Sequence, residues 1–235
     1  MNVLAVEQFR YSYDNLGYVI FGDSSAIAVD GGAVDEILEF LERRHLELQF
    51  VVNTHSHYDH TPGNEALLRN SPAKFLDCAT LADRGRLELE GEDICVYATP
   101  GHTHDSLCFH VGTILITGDT LFNGTIGNCF SGDYHNFYLS IKKILTLPPT
   151  TVIYAGHDYV RDSMAMARHL EPDNTAVIRF LSGYDPRHVY STLAEEMQIN
   201  PYLRFNDEHI IKILRDMGLP CDTEWERWQS LMSLE

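Results

Sequence analysis

Residues 48–62 read Leu48-Gln49-Phe50-Val51-Val52-Asn53-Thr54-His55-Ser56-His57-Tyr58-Asp59-His60-Thr61-Pro62. A short apolar strand over residues 48–52 runs into eight residues, 54–61, that are polar except for one tyrosine. Pro62 behind Thr61 predicts an N-cap and first position of a helix reaching about Asn70. The two leading histidines are not four apart on a helical face, which excludes the metalloprotease arrangement. In an extended loop residues two apart point the same way, so His55 and His57 can grip one ion while Asp59 and His60 are left for another.

Three further predicted strands end in a His or an Asp. Residues 94–98 lead to Thr99-Pro100-Gly101-His102, and residues 151–154 lead to Ala155-Gly156-His157. A hairpin over 107–111 and 113–117 ends in Gly118-Asp119. Functional groups of α/β folds gather at the carboxyl ends of strands, where a rigid sheet aims them into one crevice. Convergence of His55, His57, Asp59, His60, His102, Asp119 and His157 is the expectation. A donor set of nitrogen and oxygen without cysteine suits zinc, iron or manganese. Seven donors exceed the need of one tetrahedral ion, so two divalent ions with one shared carboxylate and water in the open positions are expected. Asp30, ahead of Gly31-Gly32, reads as a turn former rather than a partner to a ligand histidine.

Outward from these loops, residues 16–21 and 26–29 form a predicted hairpin, and residues 33–45 place Val34, Ile37, Leu38 and Leu41 at helical spacing. Helices are also expected over 137–147 and 162–169. Alternating strands and helices give an α/β layered architecture. Beyond Glu171-Pro172-Asp173-Asn174 the chain offers only helical windows, at 176–181, 192–197, 208–217 and 223–232. The expected division is therefore an α/β domain over 1–172 and a helical subdomain over 173–235. The second is too small to fold alone, so it should pack on the first, with Trp225 and Trp228 facing the body.

Composition narrows the function. The 235 residues hold 17 Lys and Arg against 34 Asp and Glu, a formal charge of −17, which excludes a basic nucleic-acid footprint. Hydrophobic residues at 44% and charged residues at 22% fit a globular chain with a sizeable core. No window approaches the ~18 apolar residues of a membrane span. Residues 1–10 lack a basic start followed by an apolar run, so a cytoplasmic location is expected. Cys78, Cys95, Cys108, Cys129 and Cys221 show no Cys-x-x-Cys spacing and read as buried, reduced thiols. His104 and His110 are expected to face solvent.

Thr54-His55-Ser56-His57-Tyr58-Asp59-His60, Thr99-Pro100-Gly101-His102-Thr103, Gly118-Asp119-Thr120-Leu121-Phe122 and Gly156-His157-Asp158-Tyr159 resemble the ordered motifs of the metallo-β-lactamase superfamily. Within it, Leu170-Glu171-Pro172-Asp173-Asn174, residues 191–196 and Asn200-Pro201-Tyr202-Leu203-Arg204 resemble glyoxalase II, the hydroxyacylglutathione hydrolases. The resemblance implies an αββα sandwich with a helical substrate domain. It implies that His55, His57 and His102 hold one metal, that Asp59, His60 and His157 hold the second, and that Asp119 bridges. The implied activity is hydrolysis of a small-molecule thioester by a metal-bridging hydroxide, with Asp59 also acting as a catalytic group and no role for nucleic acid or membrane.

The family's substrate contacts map onto Tyr159, Asn128 and Phe130. In glyoxalase II a lysine and a tyrosine follow the bridging aspartate and a basic cluster lies in the tail. Here Asn128 and Phe130 stand at the loop positions. Residues 205–235 carry seven acidic side chains against Lys212, Arg215 and Arg227, so the tail has no basic cluster. The competing readings are a mononuclear iron persulfide dioxygenase of the same superfamily, whose late motif resembles His157-Asp158-Tyr159, and a metal-stabilised binding module without catalysis.

Overall fold

The computed structural model describes residues 4–234. The first three residues of the segment read against a leader lie outside the described residues. Two sheets form the centre. The first has five strands in spatial order: β1 (Ala5–Tyr11), β2 (Asn15–Phe21), β3 (Ser25–Val29), β4 (Glu47–Val52) and β5 (Lys74–Leu76). The second has six, in the order β11 (Ser191–Thr192), β10 (Val152–Ala155), β9 (Ile114–Gly118), β8 (Leu107–Val111), β7 (Glu92–Ala98) and β6 (Arg86–Leu89). Nine α-helices are described: α1 (Val34–Arg44), α2 (Asn64–Arg69), α3 (Cys78–Arg84), α4 (Tyr134–Ile144), α5 (Val160–Leu170), α6 (Thr175–Gly183), α7 (Leu193–Ile199), α8 (Glu208–Asp216) and α9 (Glu224–Met232). None is long and apolar enough to cross a membrane.

Side-chain alternation explains the layering. Every residue of β2 is buried, because its two faces pack against different partners. Tyr18 and Ile20 enter the core between the sheets with Ile27, Val29, Phe109 and Ile116. Val19 and Phe21 point the other way, joining Ile37, Phe40 and Leu41 of α1. The outer face of the second sheet, with Cys108, Leu115 and Ile153, packs on Phe137 and Ile141 of α4 and on Trp228 of α9. The layers are therefore helix, sheet, sheet, helix, as the αββα expectation requires. Helix α1 ends at His45, whose positive φ of 56° lets its N–H reach the Leu41 and Glu42 carbonyls, and Asp35, Glu36, Arg43 and Arg44 complement its dipole.

Several local readings are corrected. Strand β1 is absent from the hydrophobic pattern because its residues are only partly buried at the sheet edge. β5, α3 and β6 are short, and pairing with β4 and β7 holds the two strands in place. Helix α2 starts at Asn64 with Gly63 as its cap, not at Pro62. The region after residue 172 is not solely helical, since β11 pairs antiparallel with β10 and extends the sheet. The cysteines form no disulfide among the described residues, but Cys95 is exposed on β7 and Cys78 and Cys129 are only half-buried. His104 is exposed, whereas His110 is half-buried beside the Tyr97 hydroxyl at 3.2 Å.

The later helices are tied to the body at a point that matters for the site. Glu196 of α7 is fully buried, and its carboxylate accepts hydrogen bonds from the Gly124 N–H at 3.0 Å and the Asn200 amide at 2.8 Å. Burial pushes this carboxyl up to about 7. The anchored loop carries Phe122 and leads to Asn128. At the far end Trp228 is wholly buried against Phe137, Tyr138 and Phe205. Its Nε1 has no hydrogen-bond partner among the described residues. Trp228→Ala should cost about 3–5 kcal/mol of unfolding free energy through the cavity it leaves. Trp228→Phe should cost less than half as much, because it also removes an unpaired buried donor. Urea unfolding of the two variants checks the ratio.

Candidate metal centre

The ends of β4, β7, β9 and β10 deliver the polar residues to one place. Strands β9 and β10 run parallel, and β7 runs parallel to β9 through the intervening antiparallel β8. Their carboxyl ends therefore face the same way. The Leu107 N–H to Thr54 carbonyl bond, 2.7 Å, stitches the loop after β4 to the second sheet. All seven candidate donors converge, in two groups: His55, His57, His102 and Asp119, and Asp59, His60 and His157, with donor atoms within 4.8 Å of one another inside each group.

In the first group His57 Nδ1 lies 3.0 Å from His55 Nε2 and 3.1 Å from His102 Nε2. In the second, His157 Nε2 lies 3.2 Å from His60 Nε2 and 3.3 Å from Asp59 Oδ2. Tetrahedral ligation at the usual zinc–nitrogen distance makes an edge of about 3.3 Å, so these separations suit shared ions. Asp119 sits between the groups. Its Oδ2 is 3.4 Å from His102 Nε2 and 3.5 Å from His157 Nε2, and its Oδ1 is 3.3 Å from His60 Nε2. That Oδ1 is buried and accepts no hydrogen bond among the described residues. A buried carboxylate oxygen without a hydrogen bond, facing clustered imidazoles, is the arrangement a cation site requires. The residues fit divalent ions.

The outward ring nitrogens explain the orientation of four histidines. His60 Nδ1 reaches Asp30 at 3.0 Å, His157 Nδ1 reaches Asp14 at 3.0 Å, His102 Nδ1 reaches the Asn128 carbonyl at 2.9 Å, and His55 Nδ1 reaches Thr54 Oγ1 at 3.1 Å. Such contacts place the proton on Nδ1 and turn Nε2 inward as a donor to metal. Asp30 is thus more than a turn former. It has φ of 51°, is buried, and accepts from Thr54 N–H, the Thr54 hydroxyl and the Asn53 amide as well as facing His60.

Asp14 and Asn15 were not singled out in the sequence. They lie at the start of β2, and Asn15 donates to Asp59 Oδ2 at 3.1 Å, while Tyr11 donates to the Asp59 carbonyl at 2.9 Å. Only their proximity in sequence to a predicted strand end could have hinted at this. The charges are uneven. Burial lowers His55 to about 4 and also lowers His102. Burial opposes protonation of His60 too, yet Asp30 and Asp119 hold it up at about 11. Asp119 is kept well below the carboxylate range, against its burial, by His157 and His60.

A cleft of about 430 Å³ opens over the donors, lined also by Tyr58, Phe122, Asn128, Phe130 and Tyr159. Asn128, Phe130 and Tyr159 therefore all border it. Phe130 packs edge-on against His57 and His102, and Tyr159 stacks on His157 at 5.0 Å with planes 6° apart. The close approach at Gly156 is steric: a Cβ there would collide with Asp119 Oδ1 and with the His60 ring. Gly156→Ala should therefore displace Asp119, lowering both stability and bound metal per chain. Asp30→Ala strands the Thr54 N–H, the Thr54 hydroxyl and His60 Nδ1 in the interior and should cost about 3–5 kcal/mol, read from the denaturation midpoint.

Comparisons with known proteins agree with this geometry. Residues 79–157 match the Metallo-beta-lactamase superfamily, and residues 158–232 match the Hydroxyacylglutathione hydrolase C-terminus. A hydroxyacylglutathione hydrolase from Chromohalobacter salexigens is 31% identical over 93% of this chain and 92% of its own length. One from Brucella ovis is 32% identical over 88% of this chain and 89% of its own. The crystal structure of ETHE1 from Myxococcus xanthus superposes with a TM-score of 0.66 at 24% identity, covering 96% of this chain and 99% of that one, a likeness of fold. The ordered donors, the αββα layers and these full-length relatives place the chain in the glyoxalase II-like hydroxyacylglutathione hydrolase family of the metallo-β-lactamase superfamily, metal-dependent hydrolases.

Proposed function

We propose that this chain hydrolyses a hydroxyacyl thioester at a dinuclear centre. His55, His57 and His102 would hold one ion and Asp59, His60 and His157 the other, with Asp119 placed to serve both. The observation that carries the reading is the position of Asp119, whose carboxylate lies within 3.5 Å of His102, His60 and His157 at once. Two divalent ions, zinc with iron or manganese as alternatives, would lower the pKa of water and polarise the thioester carbonyl. A mononuclear dioxygenase is less well supported, because the Asp59, His60 and His157 group is complete beside the first.

The chain's own groups then divide the work. Asp59 faces the cleft and is held ionised by His60 and the Asn15 amide, although its partial burial works the other way. It orients the attacking water by accepting one of its hydrogen bonds. Tyr159 keeps its proton, because burial and nearby carboxylates raise its pKa, and offers a hydrogen bond to the substrate. Water oxygen bonds to the acyl carbon as the carbon–sulfur bond breaks, giving a carboxylate and a thiol with one proton released. A thiol of pKa ≈ 8.5 leaves as thiolate near neutrality with little assistance, so no separate acid is needed. Residues 173–235 serve as the substrate-side subdomain, contributing Tyr202 and Leu234 to a groove beside the cleft.

Thioester hydrolysis and metal content per chain test the assignment together. Asp119→Ala should lower kcat/KM by about a thousandfold or more and cut bound metal below two ions per chain. Near-normal turnover would overturn the dinuclear reading, as would one iron per chain with thiol-dependent oxygen uptake. The metal-free centre should also be proton-loaded. His60 carries a proton below about 11 and must lose it to bind metal, so uptake at pH 7 should acidify a weakly buffered solution. Metal affinity should rise with pH in titrations between pH 6 and 8.

A further inference from the structure

Resting on the thioester reading, we propose that the thiol released by this enzyme bears no carboxylate, unlike glutathione. The groove that continues the catalytic cleft, about 320 Å³, shares Phe122, Asn128 and Tyr159 with it. It runs on past Ile126, Met166 and Tyr202. Among the described residues that line it, no side chain is cationic, and Asp162 is the single charged one. The cleft itself adds no lysine or arginine, its charged or titrating groups besides tyrosines being the metal-site histidines and carboxylates.

Several cations elsewhere are engaged. Arg10 is paired with Asp158, Arg204 with Glu171 and Lys142 with Glu224. Arg161, one residue before Asp162, lies over the Tyr184 ring. Arg227 in the tail donates to the Phe205 carbonyl and to Asn206. Glutathione brings two carboxylates and one ammonium. In this groove its carboxylates would meet Asp162 and neutral surface on a chain of charge −17, with no donor fork to receive them. A neutral arm suits the groove better, because Thr125, Asn128 and Tyr159 can take amides and hydroxyls while Ile126, Met166 and Leu234 cover methylenes.

The reaction is unchanged. Water and the thioester give a carboxylate, a free thiol and a proton, whichever carrier the sulfur belongs to.

The test is a set of thioesters with one acyl group, lactoyl, on N-acetylcysteamine, 2-mercaptoethanol and glutathione, assayed on the metal-loaded enzyme at fixed ionic strength. The expected result is a kcat/KM at least tenfold higher for the two carriers without carboxylates. Equal or faster turnover of the glutathione ester overturns the inference and leaves the thioester reading standing. Turnover of none of the three overturns the thioester reading itself. Asp162→Lys, an exposed substitution on α5, should raise the ratio of glutathione to N-acetylcysteamine turnover several-fold. An unchanged ratio would show that the groove does not hold the carrier.

Discussion

Almost everything in this molecule serves one electrostatic constraint: a carboxylate, that of Asp119, is held where only 7% of the residue meets solvent, between two clusters of imidazoles. A buried charge of this kind is costly unless compensated. The protein supplies compensation from three strand ends in two sheets, those of β4, β7 and β10, and leaves one carboxylate oxygen without a hydrogen bond among the described residues for a cation to take. The αββα frame is suited to this, because sheets cored on both faces cannot shift their strand ends independently.

A second layer of contacts converts a cluster of histidines into aimed donors. Asp30 braces His60 and the Thr54 backbone, Asp14 braces His157, and Asn15 steadies Asp59. Asp14 and Asn15 open the hairpin of β2 and β3 and Asp30 closes it. The bond from Leu16 N–H to the Gly156 carbonyl, 2.8 Å, joins that hairpin directly to the loop holding His157. The N-terminal sheet is thus part of the site and not merely support beneath it. Gly156 answers the same crowding from the opposite side by having no Cβ to offer.

The region around the centre is acidic or neutral, while the centre itself would be strongly cationic when loaded. Chemistry and recognition therefore pull apart. The donor set agrees with the hydroxyacylglutathione hydrolases, whereas the groove lined by Ile126, Met166 and Tyr202 lacks the cations that a carboxylate-bearing thiol would require. Glu196 and α7 link the two, since the Gly124 N–H that Glu196 receives belongs to the loop bordering both cavities.

Much of this was legible in the residues alone. Polarity and periodicity are local properties, so the hairpin of β2 and β3, the helices α1, α4 and α5, and the donors at strand ends could be read directly. The edge strand β1, the short β5, α3 and β6, and the two-residue β11 could not, because pairing partners rather than their own patterns hold them in place. The donor inventory and its order along strand ends were determined by the sequence. How each imidazole is turned and which carboxylates brace them were decided only by tertiary structure. The physical reason is distance along the chain: His157 is oriented by Asp14, 143 positions away, and no local pattern encodes a contact between residues that only the closing of two sheets brings together.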